Sequence, residues 1–185
     1  AFVDKAALTF EDAVPFFGKK GVVTGNPVRG EFFDVSDREP SDEMHVLIFG
    51  GSQSSRAINN AIIEALPRLR ENGAKLRIAH QTGEADFEVV KAAYSENEWV
   101  NADIRPYISN MVDAFADADV IISRAGATTC AEVTAAGKAA IMIPLPTAAD
   151  DHQRKNAEAL ARNGAARMIL QKDLSGEALV NELAC

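Results

Sequence analysis

The sequence predicts an α/β protein built on a Rossmann-like, doubly wound parallel sheet, and three observations favour this fold class. From Met44 onward, short runs rich in Val and Ile alternate with longer segments whose apolar residues recur at helical spacing. The Val and Ile runs look buried on both sides, as strands of a parallel sheet are. The chain has 185 residues, 47% hydrophobic and 25% charged, which suits one well-filled core.

The alternation resolves into six strands and six helices in series. We predict strands at 45–49, 76–80, 99–104, 120–123, 139–143 and 166–170, and helices at 54–71, 86–95, 110–116, 128–136, 151–163 and 175–183. Three of these helices are followed by a glycine where a left-handed C-terminal residue is wanted, namely Gly73, Gly137 and Gly164. Six strand–helix units imply right-handed crossovers, with helices on both faces of the sheet.

The first forty residues follow a different pattern. Residues 10–26 hold a helix-like stretch, a Gly-Lys-Lys turn and a small strand at 21–24, and residues 36–42 are polar and acidic. We therefore expect a lead-in strand and linker over 1–40 and one Rossmann-like domain over 41–185.

Charge and composition exclude several classes of function. Lys and Arg total 19 against 27 for Asp and Glu, a net charge of -8, which argues against binding to nucleic acid or anionic lipid. No apolar run reaches the length of a spanning helix, and the first ten residues lack the pattern of a signal peptide, so we expect a soluble, cytoplasmic chain. Cys130 and Cys185 lie far apart and predict neither a disulfide framework nor a metal site.

Ligands of an open parallel sheet collect at the carboxyl ends of its strands, so the loops there are the candidate sites. The first, GGSQSS at 50–55, opens directly into a helix, and its glycines, hydroxyls and helix N-terminus suit a phosphate group. It matches neither the P-loop nor the GxGxxG fingerprint, which argues against kinases, ATPases and dehydrogenases. Alone, such a turn is more often a plain strand-to-helix connection.

Two further loops carry polar groups at the same edge. SRAGATT at 123–129 again leads into a helix, with Glu132 one turn inside, either as a surface carboxylate or as a grip on ribose hydroxyls. PLPTAADDHQ at 144–153 groups acid, imidazole and amide side chains that suit a sugar, although Asp150 or Asp151 could equally cap the next helix.

Two other signals do not indicate a catalytic centre. Asp117 and Asp119 have the spacing of metal-binding carboxylates, but they precede their strand and so lie at the wrong edge; we interpret them as a helix end. His45, His80 and His152 lack partners at metal-ligand spacing, no Ser-His-Asp set is recognisable, and His80 is interpreted as structural.

The ordered motifs of the chain closely resemble the MurG family of peptidoglycan glycosyltransferases from about Thr9 onward. The motifs are TGNPVR at 24–29, GGSQ at 50–53, HQTG at 80–83, Tyr107-Ile108, SRAGAT at 123–128, Glu132, and DHQ at 151–153 with Asn156. That family transfers N-acetylglucosamine from UDP-GlcNAc to a lipid-linked muramoyl-pentapeptide. Its members have two Rossmann-like domains facing across a cleft, the GT-B arrangement, and this chain is similar to the C-terminal, donor-binding half.

The resemblance implies a role for eight residues. Ile108 would bind uracil through its backbone, and Glu132 would hold the ribose. Ser52 and the backbone around Ala127 and Thr128 would receive the diphosphate, Arg29 and Gln153 would address phosphate and sugar, and His152 would join them.

The resemblance also implies what lies outside this chain. The chemistry would be an inverting displacement at the anomeric carbon with UDP leaving, with no metal and no cofactor. The general base, the acceptor lipid and any membrane contact would belong to an N-terminal half, so this chain alone would bind donor without turnover. The full protein would be cytoplasmic and peripheral to the inner face of the membrane, serving cell shape and division.

Two departures from the family pattern bear on these expectations. Ser54-Ser55 stands where Gly-Ala is common, and the chain stops at Cys185, short of the family's closing helices, which indicates a fragment. Two alternatives stay open: the donor half of another GT-B transferase, which the loop at 147–153 would distinguish, and a UDP-sugar-binding module without catalysis.

Overall fold

The computed structural model describes residues 3–9, 11–36, 38–51 and 55–184. The strands are β1 (Ala6–Leu8), β2 (Gly21–Val23), β3 (Met44–Phe49), β4 (Leu76–Gln81), β5 (Ala102–Arg105), β6 (Val120–Ser123), β7 (Ala139–Met142) and β8 (Ala166–Met168). The α-helices are α1 (Val14–Phe17), α2 (Arg56–Glu71), α3 (Phe87–Glu96), α4 (Met111–Asp117), α5 (Ala127–Ala135), α6 (His152–Arg162) and α7 (Gly176–Leu183).

Strands β3 to β8 form one parallel sheet in the order β5-β4-β3-β6-β7-β8, which confirms the predicted doubly wound fold. From β3 the chain moves outward through β4 and β5, then returns to place β6 on the other side of β3. Strand order therefore reverses between β3 and β6. In sheets of this kind ligands bind outside the carboxyl ends at the point of reversal, here beyond Phe49 and Ser123.

Helices cover both faces of this sheet. Helices α2, α3 and α7 pack on one face, against strand residues that include Val46 and Ile48. Helices α4, α5 and α6 cover the other face, against Leu47 and Phe49. Successive strand residues point to opposite faces, so buried β3 supplies both cores.

Each of the twelve predicted elements is present; β6 has the predicted bounds and the others differ at one end or both. The third predicted strand begins at Ala102 instead of residue 99, because residues 98 and 99 hydrogen-bond back to the end of α3. The Trp99 N–H donates to the Tyr94 carbonyl at 3.0 Å, and Glu98 takes a positive φ of 51°. The three predicted C-terminal glycines all have a positive φ, between 65° and 72°.

The amino-terminal segment holds a small second sheet, in which β1 pairs in parallel with β2. The predicted strand at 21–24 is confirmed as β2, whereas β1 was not predicted, since three residues of composition Ala-Ala-Leu carry no strand signal. The helix-like stretch amounts to one turn, α1, which has Pro15 at its start and ends at Gly18 with a φ of 52°.

The segment after β2 is fastened to the main domain by an aromatic contact. Phe32, in a 3₁₀ turn at Gly30–Asp34, is fully buried, and its ring meets that of Phe115 edge-on with the centroids 5.0 Å apart. The Arg29 guanidinium lies 4.9 Å from the centre of the Phe32 ring. This packing brings Arg29 to the carboxyl edge of the sheet.

Within the described ranges, no helix combines the length and the apolar composition that a membrane span requires.

Candidate functional site: a cleft at the carboxyl edge of the sheet

A cleft of about 880 Å³ opens at the carboxyl edge, where the strand order reverses. It is lined by the loops after β3, β5, β6 and β7, by the end of β4, and by Arg29 from the amino-terminal segment. Six of the eight predicted site residues line it: Arg29, Ile108, Ala127, Thr128, Glu132 and Gln153. Of the other two, Ser52 lies outside the described residues, and His152 does not line the cleft.

The start of α5 supplies donors to one wall of the cleft. Gly126 occupies the N-cap position without a side-chain cap, so the first-turn N–H groups, including those of Ala127 and Thr128, lack intrahelical partners. The helix dipole adds partial positive charge at the same point. Asn156, which is buried, donates to the Ala125 carbonyl at 3.0 Å and fixes the turn before the helix. The geometry suits an anion such as a phosphate.

The loop after β3 faces the start of α5 across the cleft. Gly50 and Gly51 line it, and Gly51 takes a φ of 85°, a conformation that a side chain would strain. Residues 52–54 lie outside the described residues, and α2 then begins behind Ser55, whose hydroxyl accepts the Ile58 N–H. A second helix N-terminus therefore points to the same edge, as the sequence predicted.

Glu132 lies one helical turn inside α5, partly buried in the wall of the cleft. Its burial raises the pKa of the carboxyl group, and the nearby positive charge of Arg29 opposes the rise. A carboxylate held out of bulk water can still accept hydrogen bonds, and those bonds strengthen as the surroundings become less polar. The position suits an acceptor for a pair of hydroxyl groups.

Tyr107 and Ile108 form another part of the wall. Ile108 is buried, and its N–H donates to Oε1 of Gln81 at 2.9 Å. Tyr107 is 68% exposed, so an aromatic face is open to a flat ring in the cleft. Sequence reasoning quoted Tyr107 and Gln81 in their motifs but gave neither a role.

The loop after β7 presents Gln153 to the cleft. The side-chain oxygen of Gln153 accepts the Leu145 N–H at 3.0 Å, which leaves its NH₂ group as a donor toward the cleft. His152 is exposed, and its Nδ1 is 2.7 Å from the Ala149 carbonyl, which turns the ring away. The two preceding residues, Asp150 and Asp151, both take a positive φ, and Asp151 stands at the N-cap of α6 without a side-chain cap bond.

Arg124 holds the loop after β7 in place. The sequence did not single out this residue. Its side chain is nearly buried and donates to the carbonyl groups of Ile143 and Pro144, at 3.1 and 3.2 Å. It also donates to Oε1 of Gln171 at 2.6 Å. Burial lowers the pKa of the guanidinium from its usual value. Arg124 thereby ties the end of β6 to the loop after β7.

The signals set aside by sequence have structural roles. Asp117 ends α4, and Asp119 accepts from the His45 N–H and from Arg38 at the amino edge of the sheet, away from the cleft. His80 is fully buried, where burial lowers its pKa to about 3. Burial likewise raises the pKa of the Cys130 thiol to about 12.

A second cavity, of about 990 Å³, lies at the amino edge between the ends of α2 and α7 and the beginnings of the strands. Its lining mixes apolar residues such as Leu69 and Leu183 with charges of both signs. Of the seven predicted site residues that the structure describes, none lines this second cavity. Among the residues described, no group of three or more His, Cys, Asp or Glu side chains could hold a metal ion.

Comparison with known proteins gives a consistent result. Residues 45–184 match the model of the glycosyltransferase family 28 C-terminal domain. The chain is 48% identical, over 98% of its length, to the UDP-N-acetylglucosamine–N-acetylmuramyl-(pentapeptide) pyrophosphoryl-undecaprenol N-acetylglucosamine transferase of Syntrophus aciditrophicus. It is 46% identical, over 97% of its length, to the same enzyme of Geobacter sulfurreducens. It covers 51% of each, so the chain spans about half the length of these curated relatives.

A crystal structure of MurG from Acinetobacter baumannii superimposes with a TM-score of 0.80 at 36% sequence identity, covering 98% of this chain and 51% of that one. The match confirms the predicted GT-B type of domain. From the family match and these identities, the chain belongs to the glycosyltransferase family 28 C-terminal domain family.

Proposed function

We propose that this chain is the donor-binding half of an inverting N-acetylglucosaminyltransferase of peptidoglycan synthesis, and that UDP-GlcNAc binds in the cleft at the carboxyl edge. One observation carries the proposal. Six residues assigned from five motifs, spread along the chain from Arg29 to Gln153, line one cleft at the point where strand order reverses. The names of the curated relatives supply the donor and the acceptor of the reaction.

Each part of the sugar-nucleotide UDP-GlcNAc is assigned to a different group of residues in the cleft. The uracil lies against Tyr107 and bonds to the Ile108 backbone, and the ribose hydroxyls donate to the Glu132 carboxylate. The diphosphate takes the free N–H groups at the start of α5, together with Ser52 and the charge of Arg29. The sugar accepts from the NH₂ group of Gln153, whose orientation is supported by the Leu145 N–H.

The reaction replaces the bond between the anomeric carbon and the diphosphate oxygen by a bond to the acceptor oxygen, with inversion. Negative charge grows on the departing UDP, and the helix N-terminus and Arg29 face that charge as fixed donors. One such donor is worth about 3 kcal/mol of transition-state stabilisation in comparable anion sites. The acceptor hydroxyl loses its proton to a general base.

We assign that base and the lipid-linked muramoyl-pentapeptide site to a second, amino-terminal half. The assignment is supported by the relatives' double length and by the amino-terminal segment, where a parallel pair of strands leaves apolar side chains exposed. In β2, Val22 is 43% exposed and Val23 44%, and in α1 Phe16 is 86% exposed. Parallel strands are normally covered on both faces, so residues 1–40 would complete a sheet of the other half before leading into the donor domain at 41–185.

We also propose that the full protein acts at the cytoplasmic face of the membrane. The chain as a whole has a net charge of -8, which anionic lipid repels, so we assign membrane contact to the other half.

Thermal unfolding with UDP-GlcNAc, UDP-glucose, UDP and ADP tests the proposal. At about 100 times the dissociation constant, a ligand adds about 2.7 kcal/mol of stability, or roughly 5 to 10 °C in Tm for a domain of this size. We expect a rise with the uridine ligands, largest for UDP-GlcNAc, and none with ADP. Absence of any rise with UDP and UDP-GlcNAc, at millimolar concentrations, would refute donor binding by this chain.

A further inference from the structure

The Gln81 side chain bridges two loops that sequence reasoning treated as separate. Gln81 ends β4, between β3 and β5 in the sheet, and is 5% exposed. Its Oε1 accepts the Ile108 N–H at 2.9 Å, and its Nε2 donates to the Gly51 carbonyl at 3.5 Å. Of the two ends of the Gln81 amide only the oxygen can accept from the Ile108 N–H, and only the NH₂ group can donate to the Gly51 carbonyl, so the two bonds agree on one orientation of the amide. One side chain therefore links the loop after β5 to the loop after β3.

The hydrogen bond to Gln81 occupies the N–H group of Ile108, which is the donor that the uracil base would need. A backbone N–H makes one good hydrogen bond at a time, and that of Ile108 is already satisfied in the free protein. The proposed function has uracil bonding to the Ile108 backbone, and the present inference rests on it. Uracil oxygen and Gln81 Oε1 then compete for the same hydrogen.

We propose that Gln81 is a positioning residue that guards the base site: it holds the Ile108 N–H while the cleft is empty and is displaced when the base enters. Binding then exchanges one hydrogen bond for another, and the net gain is small. Displacement of the Gln81 amide also breaks its hydrogen bond to the Gly51 carbonyl. Entry of the base therefore affects the loop after β3. Gln81 thereby lowers the affinity for the nucleoside and couples the base to the phosphate side of the cleft.

Two substitutions separate this role from a merely structural one. Gln81→Met keeps the length of the side chain but cannot accept the hydrogen bond, so the Ile108 N–H stays buried and unpaired until a base arrives. We expect uridine to bind about tenfold more tightly to this variant. Gln81→Glu accepts more strongly, because its oxygens are charged. We expect it to weaken uridine binding several-fold. A structural role would weaken binding in both variants.

The measurement is a titration of each protein with uridine followed by NMR, with pyrophosphate as a ligand that lacks the base. In Gln81→Met, we expect uridine affinity to change more than pyrophosphate affinity, since the Ile108 N–H plays no part in binding pyrophosphate and only loss of the bond to the Gly51 carbonyl can affect it. In the unaltered chain, the side-chain NH₂ resonances of Gln81 shift on addition of uridine. This second signature does not depend on the variants being stable.

Weaker uridine binding in both variants, or unchanged Gln81 resonances with uridine bound, would overturn the inference. Failure of the unaltered chain to bind either uridine or UDP would refute the proposed function itself, and the inference with it.

Discussion

The surroundings of Glu132 disfavour the charged form of its carboxyl group. Burial in the wall of the cleft raises the pKa, and the positive charge of Arg29 offsets only part of that rise. A raised pKa means that the charged carboxylate costs the folded protein stability at neutral pH. Such a cost is typical of groups kept for binding.

We predict that Glu132→Ala weakens UDP and uridine alike by about 1 to 3 kcal/mol, through loss of charge-assisted hydrogen bonds to the ribose. Calorimetric titration measures both affinities. The Tm of the free variant should not fall, because a desolvated charge has been removed. Thr134→Ala, at an exposed position of the same helix, is the control and keeps both affinities. Unchanged affinity in Glu132→Ala would remove this residue from the ribose site.

We predict that Gln153→Ala leaves UDP binding unchanged and weakens UDP-GlcNAc by about 1 kcal/mol, because only the sugar meets its NH₂ group. The comparison of the two ligands is the measurement. Arg154→Ala, whose side chain pairs with Glu158 on the surface, serves as the control. Equal losses for both ligands would show that Gln153 does not touch the sugar.

At this scale the sequence predicted the residue types and missed two orientations. Six of the predicted residues reach the cleft because loops after parallel strands meet at one edge. His152 turns away from the cleft because the two residues before it, Asp150 and Asp151, both adopt a left-handed backbone conformation. The identity of these residues does not predict that conformation. The bond from Ile108 to Gln81 depends on β4 and β5 being neighbours in register, and periodicity carries no such information.

At the scale of elements, α7 packs against α2 through a glycine that tolerates no side chain. A Cβ at Gly176 would lie 2.6 Å from the backbone carbon of Glu64 and 2.7 Å from the Ala65 nitrogen. The sequence predicted both helices from their apolar spacing, but no sequence signal marks Gly176 as a contact between them. Which glycine marks a close approach depends on how two distant helices meet.

We predict that Gly176→Ala lowers the free energy of unfolding by about 2 kcal/mol, or roughly 4 to 8 °C in Tm, because backbone must move to admit the methyl group. Urea and thermal unfolding measure the change. Gly30→Ala is the matched control, since a Cβ there meets nothing within 4 Å and Gly30 has no positive φ. An unchanged Tm in Gly176→Ala would mean that α7 can shift away from α2 without cost.

At the scale of the whole molecule, one buried network of polar side chains connects β4 to α2 and α3, the helices that cover one face of the sheet. His80 lies between the Tyr94 hydroxyl and Oδ1 of Asn59, both at 3.2 Å, and Asn59 donates onward to Asp86 at 2.9 Å. The sequence predicted the fold because every level of pattern agreed, from buried strands to helix ends. It identified His80 as structural but not its partners, Tyr94 and Asn59, which come from α3 and α2.

We predict that this network makes the protein sensitive to acid. The folded pKa of His80 is lowered to about 3 from 6.5, so its contribution to stability is present above pH 6.5 and is lost as the pH falls toward 3. Between pH 6.5 and 5 the loss is about 2 kcal/mol. Urea unfolding of the unaltered chain and of His80→Gln measures it: the stability difference should shrink over that range and stay constant from pH 7 to 8. A constant difference throughout would contradict the assignment.

Helix α5 carries both the proposed anion donors at its start and Glu132 one turn later. The separation between these two groups is set by the rise of a helix, about 6 Å over the four residues from Thr128 to Glu132. In the proposed function, this spacing sets the distance between the groups that bind the phosphate and the ribose. On that assignment we expect a nucleotide whose phosphates are on the 3′ instead of the 5′ oxygen to bind more weakly, because it cannot reach the start of α5 and Glu132 together; a comparison of the two isomers by calorimetric titration measures the difference.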